Sequence, residues 1–349
     1  MKNRTKITII GVLVVAAITI TAVYANADRL VNWQIQNSVK ENIAAQAIDP
    51  DAFEIVLCGT GSPQYQPDRG QPCTAIIAAE QVFLFDSGQG ASQGMQASGV
   101  PILKLHRVFL THLHSDHISG LGDVLHNSWL YGRKQEAVVI GPPGTAGMLE
   151  GVQMSFAADM SERNKMIGNE YGESNSGMGT AQEAEVEGDT LTLVYDQNGV
   201  KISAFRVDHP AWENAYGYKF EYQGKVIVIS GDTRRSANLV RHAVGADILI
   251  HEVLNTSMMR SIAEGLREHG DATVDPERME TIISTHTSTT DLAELATEAN
   301  VGTLVLTHLI PPIPASSFVE GAFTQGMTDI FDGELIVARD GLRIDLSDD

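Results

Sequence analysis

Thr111-His112-Leu113-His114-Ser115-Asp116-His117 directly follows Arg107–Leu110, a short apolar run that reads as a buried strand. Three imidazoles and a carboxylate crowded into His112–His117 are costly to bury unless something binds them. Imidazole combined with carboxylate suits zinc, with manganese or iron as alternatives. In an extended segment alternate side chains share a face, so His112 and His114 point at one ion. The turn that follows sends Asp116 and His117 toward a second.

Working outward, further candidates arrive on the same plan. His209 follows Phe205-Arg206-Val207, Asp232 follows the run from Val226 to Gly231, and His308 follows Leu304–Thr307. Each stands at the end of an apolar strand, where a rigid sheet holds side chains for chemistry. Together with the first segment they supply enough ligands for two ions. Short Val- and Ile-rich runs recur on both sides: Phe53–Leu57, Thr74–Ala78, Val82–Phe85, Ala137–Ile140, Ile202–Val207, Tyr216–Tyr222, Lys225–Ser230 and Ile248–His251. Helices are expected from Ser236 to Val244, from Met279 into Ile283 and from Thr290 to Ala299. Strands alternating with helices in both halves predict two mixed sheets face to face with helices outside. Ala158–Thr190, rich in Gly, Ser, Asn, Met and acids, predicts a loop insertion (158–190) near the site mouth.

The chain has 349 residues, with Lys+Arg 24 against Asp+Glu 44 and a formal charge of −20. Affinity for nucleic acid comes mainly from clustered Lys and Arg on phosphates, so this balance predicts a poor general nucleic-acid binder. Lys2, Arg4 and Lys6 precede an apolar run, Ile7–Val23, and Ala25-Asn26-Ala27 offers a small-x-small cleavage site. Residues 1–27 therefore read as a signal peptide or an uncleaved membrane anchor, and either predicts a periplasmic or secreted domain. An amphipathic lead-in helix over 28–50 and a catalytic domain over 51–349 follow. Cys58 and Cys73 flank a Gly/Pro-rich turn; they pair in an oxidising compartment or stay as two buried thiols.

The His-x-His-x-Asp-His segment, with His209, Asp232 and His308 following in order, resembles the hallmark of the metallo-β-lactamase superfamily. The resemblance covers nearly all of the chain after about Phe53. It implies an α/β (α+β) fold, the four-layer αββα sandwich, and two zinc ions. By this likeness one ion takes His112, His114 and His209, the other takes Asp116, His117 and His308, and Asp232 bridges them. Cys58-Gly59-Thr60-Gly61-Ser62-Pro63, Phe85-Asp86-Ser87-Gly88, His251-Glu252 and His286-Thr287-Ser288 look like the ribonuclease Z and arylsulfatase-like branch. That likeness implies that His286 assists a phosphate or sulfate group, that Glu252 orients His286, and that Asp116 holds the nucleophile, a metal-bound hydroxide.

Three substrates follow in order of expectation: a small phosphodiester or aryl sulfate ester, then a lactone or β-lactam, then a tRNA 3′ end. The acidic charge, the export segment and the short span from His209 to Asp232 argue against RNA. That span lacks room for the tRNA-gripping arm that the resemblance places there. The expected partners are thus a small ester and, through the N-terminal segment, a membrane, with a homodimer also allowed and nucleic acid not expected.

Overall fold

A computed structural model describes residues 21, 23–167, 177–210, 212–269 and 275–347. The chain divides into two units, Met1–Ala47 and Ile48–Asp349. In the first, Ala27–Ala45 is a helix whose Leu30, Trp33, Ile35, Val39 and Ile43 are exposed. The export segment expected at Ile7–Val23 lies, but for Thr21 and Val23, outside the described residues. No helix among the described residues is long and apolar enough to cross a membrane.

Among the described residues the second unit holds fourteen strands in two sheets of seven. One joins β1 (Glu54–Gly59), β2 (Cys73–Ala78), β3 (Gln81–Phe85), β4 (Leu105–Phe109), β5 (Val138–Gly141) and β6 (Thr180–Glu183) in chain order, with β14 (Leu342–Asp345) beside β1. The other runs from β7 (Thr192–Gln197) through β8 (Val200–Arg206), β9 (Tyr216–Tyr222), β10 (Lys225–Ile229), β11 (Ile248–Leu254) and β12 (Thr303–Ile310) to β13 (Glu334–Val337). Strands buried on both faces read as continuous apolar runs because alternate side chains enter different cores. In β3, Phe83 and Phe85 enter the core between the sheets, where Phe109, Tyr218 and Phe220 meet them. Val82 and Leu84 turn instead to the helices on the other face. The second sheet does the same, sending Ile248 and Ile250 inward and Leu249 and Val253 toward its own helices. Four layers, αββα, follow directly from that alternation.

One expectation is only partly met. Ala158–Ile167 continues the helix Thr145–Ile167, and Thr180–Glu183 pairs with β5 as an edge strand, so these two parts of the stretch are regular elements and not loop. The helix is hard to read because its buried positions, such as Leu149 and Met160, alternate with exposed Met154 and Met166. Cys58 and Cys73 form a disulfide between β1 and β2, with Cα atoms 5.0 Å apart.

Candidate metal centre

Sheet ends converge on one edge of the sandwich. Thr111 and His112 leave β4, and the short helix Ser115–Ile118 then turns Asp116 and His117 inward, both buried. His209 lies beyond β8 and Asp232 beyond β10. Gly231 precedes Asp232 with φ +63°, and a Cβ there would meet the Tyr216 carbonyl oxygen at 2.7 Å. Only glycine lets the chain turn at that point. His308 is reached differently. It sits inside β12 at an irregularity where Thr307 pairs with Glu252 and Leu309 with Val253. Its φ of +47° marks a bulge, which re-aims the imidazole out of the ladder.

The seven metal-ligand candidates singled out from the sequence come together in two adjoining groups that share Asp232. In the first, His112 Nε2 lies 2.9 Å from His114 Nδ1, which lies 3.4 Å from His209 Nε2. Asp232 Oδ2 stands 3.8 Å from His112 Nε2. In the second, Asp116 Oδ2 is 3.4 Å from His117 Nε2 and 3.2 Å from His308 Nε2. The other oxygen of Asp232, Oδ1, stands 3.3 Å from His117 Nε2 and 3.5 Å from His308 Nε2. Ligand atoms about 2.0–2.1 Å from a tetrahedral ion stand about 3.3 Å from one another, which matches both groups. His117 Nε2 and Asp232 Oδ1 make no hydrogen bond among the described residues although both are buried. Orphaned ligand atoms at those spacings fit a divalent ion in each group, with Asp232 turning one oxygen to each.

The electrostatics agree. Burial favours neutral carboxyls, yet His117 and His308 outweigh it and hold Asp116 and Asp232 below the usual carboxylate range. Burial also opposes charge on His117, but Asp232, Asp86 and Asp116 push its pKa well up. His112 goes the other way: burial, with His117 beside it, keeps it neutral. Burial opposes charge on His308 too, but Asp232 and Asp116 raise its pKa. A cation held in these groups would compete with protons for the same ring nitrogens.

Beside the second group lie Glu252 and His286. Glu252 is 1% exposed; its Oε1 accepts from Thr287 N at 2.8 Å, and its Oε2 lies 3.3 Å from His286 Nδ1. Burial alone would lower the His286 pKa, but the Glu252 carboxylate raises it to about 9. His286 thus keeps a proton, with its ring 5.7 Å from that of His308 and 5.6 Å from that of His209. His251, its neighbour in sequence to Glu252, takes no part: it is fully buried, and its Nδ1 faces the Glu252 carbonyl.

Reading the sequence leaves three supporting residues unassigned. Asp86, at φ +56°, accepts from Thr111 N and from Thr111 Oγ1, and its Oδ2 lies 2.8 Å from His117 Nδ1. A carboxylate behind a ligand histidine fixes the tautomer that offers Nε2 to a metal. Thr111 Oγ1 similarly lies 3.1 Å from His112 Nδ1, and the Thr285 carbonyl 3.3 Å from His209 Nδ1. Asp86-Ser87-Gly88 carried a signal for the first. A Cβ on Gly88 would strike the Asp116 carbonyl at 2.1 Å, so this turn must pass tightly under the ligand helix.

Such a cluster, at the strand ends of an αββα sandwich, defines a metal-dependent hydrolase. Residues 53–266 match the family described as "Anti-Pycsar protein Apyc1". The chain is similar to the ribonuclease Z of Mycobacterium bovis (strain BCG / Pasteur 1173P2), 36% identical over 264 residues, 75% of this chain and 87% of that protein. It is equally similar to that of Mycolicibacterium paratuberculosis, 36% identical over 266 residues, 75% of this chain and 88% of the other. Among solved structures its fold resembles the metallo-β-lactamase fold protein YhfI from Bacillus subtilis, with TM-score 0.57 and 17% identity over 84% of this chain and 99% of that one. Human tRNase Z, short form, gives TM-score 0.57 and 21% identity over 83% and 98%. The chain belongs to the ribonuclease Z branch of the metallo-β-lactamase superfamily and to the family that Apyc1 represents.

These relatives overturn two expectations. The ranking of a small phosphodiester or aryl sulfate ester first and RNA last does not stand against relatives that are ribonucleases Z at 36% identity. The exclusion of nucleic acid as a partner falls with it. A net charge sums over the whole surface, whereas a phosphate meets only the groups of one cleft.

Proposed function

We propose that this chain is a ribonuclease Z-type phosphodiesterase that cleaves RNA, with the 3′ end of a tRNA precursor as its substrate class. The observation that carries the reading is the pairing of two ligand groups across Asp232 with His286 next to them, its Nδ1 3.3 Å from the Glu252 carboxylate. Phosphodiester cleavage needs a nucleophile on one side of phosphorus and a proton for the departing oxygen on the other. Support comes also from the ribonuclease Z relatives, of whose length the match covers 87%.

Two zinc ions fit best: one held by His112, His114 and His209, the other by Asp116, His117 and His308, with Asp232 shared. Bound there, such ions act as Lewis acids toward a phosphoryl oxygen and make water acidic near neutral pH. The chain's own residues do the rest. Asp116 accepts a hydrogen bond from the attacking water and orients it toward phosphorus. As the new bond to phosphorus forms and the ester P–O bond breaks, His286 gives its proton to the departing ribose oxygen. Glu252 holds His286 upright and charged for that transfer.

A cleavage assay on the zinc-loaded full chain tests the reading. A 3′-extended tRNA precursor should be cut at a single position, and His114→Ala should leave it intact. A precursor that stays whole with the wild-type chain overturns the proposal.

A further inference from the structure

We propose that Trp212 is the specificity-determining platform of this site, stacking the nucleobase of the nucleotide that keeps the phosphate after cleavage. The inference rests on the phosphodiesterase reading above and names what lies next to the phosphate. Among the described residues Trp212 is the one ring other than histidine in contact with the ligand imidazoles. Its centroid lies 5.3 Å from that of His114 and 6.3 Å from that of His112, both edge-to-face. The indole plane stands at 66° to the His112 ring and at 76° to the His114 ring.

Trp212 is only partly buried and packs on the core that includes Phe205, Val207 and Ala215. Its amide and several neighbouring residues are held by hydrogen bonds. Trp212 N donates to the His209 carbonyl at 2.8 Å, Val207 N to Ala215 O at 3.0 Å, and Arg206 Nη1 to Glu213 O at 3.0 Å. Asp208, one residue before the ligand, is held by Arg234 Nε at 2.8 Å. A rigid aromatic surface loses little entropy when a flat ring lands on it. Indole faces accept any base, which suits a site that reads a backbone rather than a sequence.

Its place in the cluster gives direction. Trp212 meets the rings of His112 and His114, whereas His286 meets those of His209 and His308, so the two border different histidines of the cluster. The departing oxygen takes its proton at the His286 end. The nucleotide left holding the phosphate then lies toward Trp212.

Calorimetric binding of adenosine 5′-monophosphate and ribose 5-phosphate to the zinc-loaded full chain tests this without turnover. Wild type should prefer the ligand with a base by about tenfold, the scale of one base–aromatic stack. Trp212→Leu keeps apolar bulk against His114 but no π face, and should bind both ligands alike; Trp212→Phe should retain most of the preference. Equal affinity in wild type, a preference that survives in Trp212→Leu, or one lost equally in Trp212→Leu and Trp212→Phe overturns the platform. A chain that leaves tRNA precursors uncut refutes the ribonuclease reading, while the ligand comparison still decides the role of Trp212.

Discussion

Asp86→Asn is the substitution that separates the two halves of the metal centre. Asp86 touches neither group as a ligand, yet its Oδ2 lies 2.8 Å from His117 Nδ1 and its Oδ1 accepts from Thr111 N at 2.8 Å. Asparagine can keep an oxygen on the Thr111 amide, but then it turns an NH2 toward a ring N–H. Donor faces donor, and His117 relieves the clash by moving its proton to Nε2, the atom at 3.4 Å from Asp116 and 3.3 Å from Asp232. A protonated Nε2 binds no metal. Removing the partner behind a ligand histidine costs about 10–100-fold in metal affinity, or about 1.4–2.7 kcal/mol. The loss should fall on the group of Asp116, His117 and His308. His112 keeps its partner Thr111, and His209 keeps the Thr285 carbonyl. Zinc content by mass spectrometry, followed by titration with a competing chelator, reads both affinities in one experiment. Wild type should release two ions late; the variant should release one early and one at the wild-type midpoint. Two ions leaving at wild-type midpoints would refute the orienting role of Asp86.

Three further outcomes follow from the contacts. Glu252→Gln removes the charge that raises His286 to about 9, so the alkaline limb of kcat should move toward or below 6.5. Since the protonated form acts, activity at pH 8 should drop roughly 30-fold while it recovers at lower pH; bound cations lower both limbs together, and an unmoved limb in the pH–rate profile would sink the idea. Replacing Cys58 and Cys73 together by alanine opens a loop of sequence separation 15 and should cost about 3 kcal/mol in urea unfolding; less than about 1 kcal/mol would mean the two strands already hold that loop closed. Arg69→Leu strips Glu320 of one of its two arginines and leaves Thr60 Oγ1 and the Ile313 carbonyl without their guanidinium. Stability should fall by about 3 kcal/mol, and a variant unfolding at the wild-type urea midpoint would contradict it.

Where local chemistry decides structure, the sequence is a good guide. Phe83 and Phe85 alternate with Val82 and Leu84, so β3 is legible as a strand with two buried faces. His112 and His114 announce themselves because nothing but a bound ion makes so many buried imidazoles tolerable. Other features depend on contacts far apart in the chain. Asp86 meets His117 across 31 residues. His308 reaches the centre only through a bulge in β12, and no local pattern marks the extra residue. The helix Thr256–His269 leaves no apolar run to find, because Met259 and Ala263 are its buried side chains. Trp212 needs the sheet closed before its ring can meet His114.

The acidic composition misled for a physical reason that lies in the same site. A count of −20 treats each carboxylate as facing water. Asp86, Asp116, Asp232 and Glu252 are all buried, and each is matched to a histidine. Their charge never reaches an approaching polyanion at full strength. Two divalent cations would more than balance the three aspartates, and His286 carries a proton of its own against Glu252. The cleft then presents positive charge where the rest of the surface presents negative. Repulsion at long range is screened within about 8 Å at physiological salt, while the attraction acts at contact between phosphate and cation. Net charge therefore bears on how fast RNA arrives and says little about whether its phosphate is held once there.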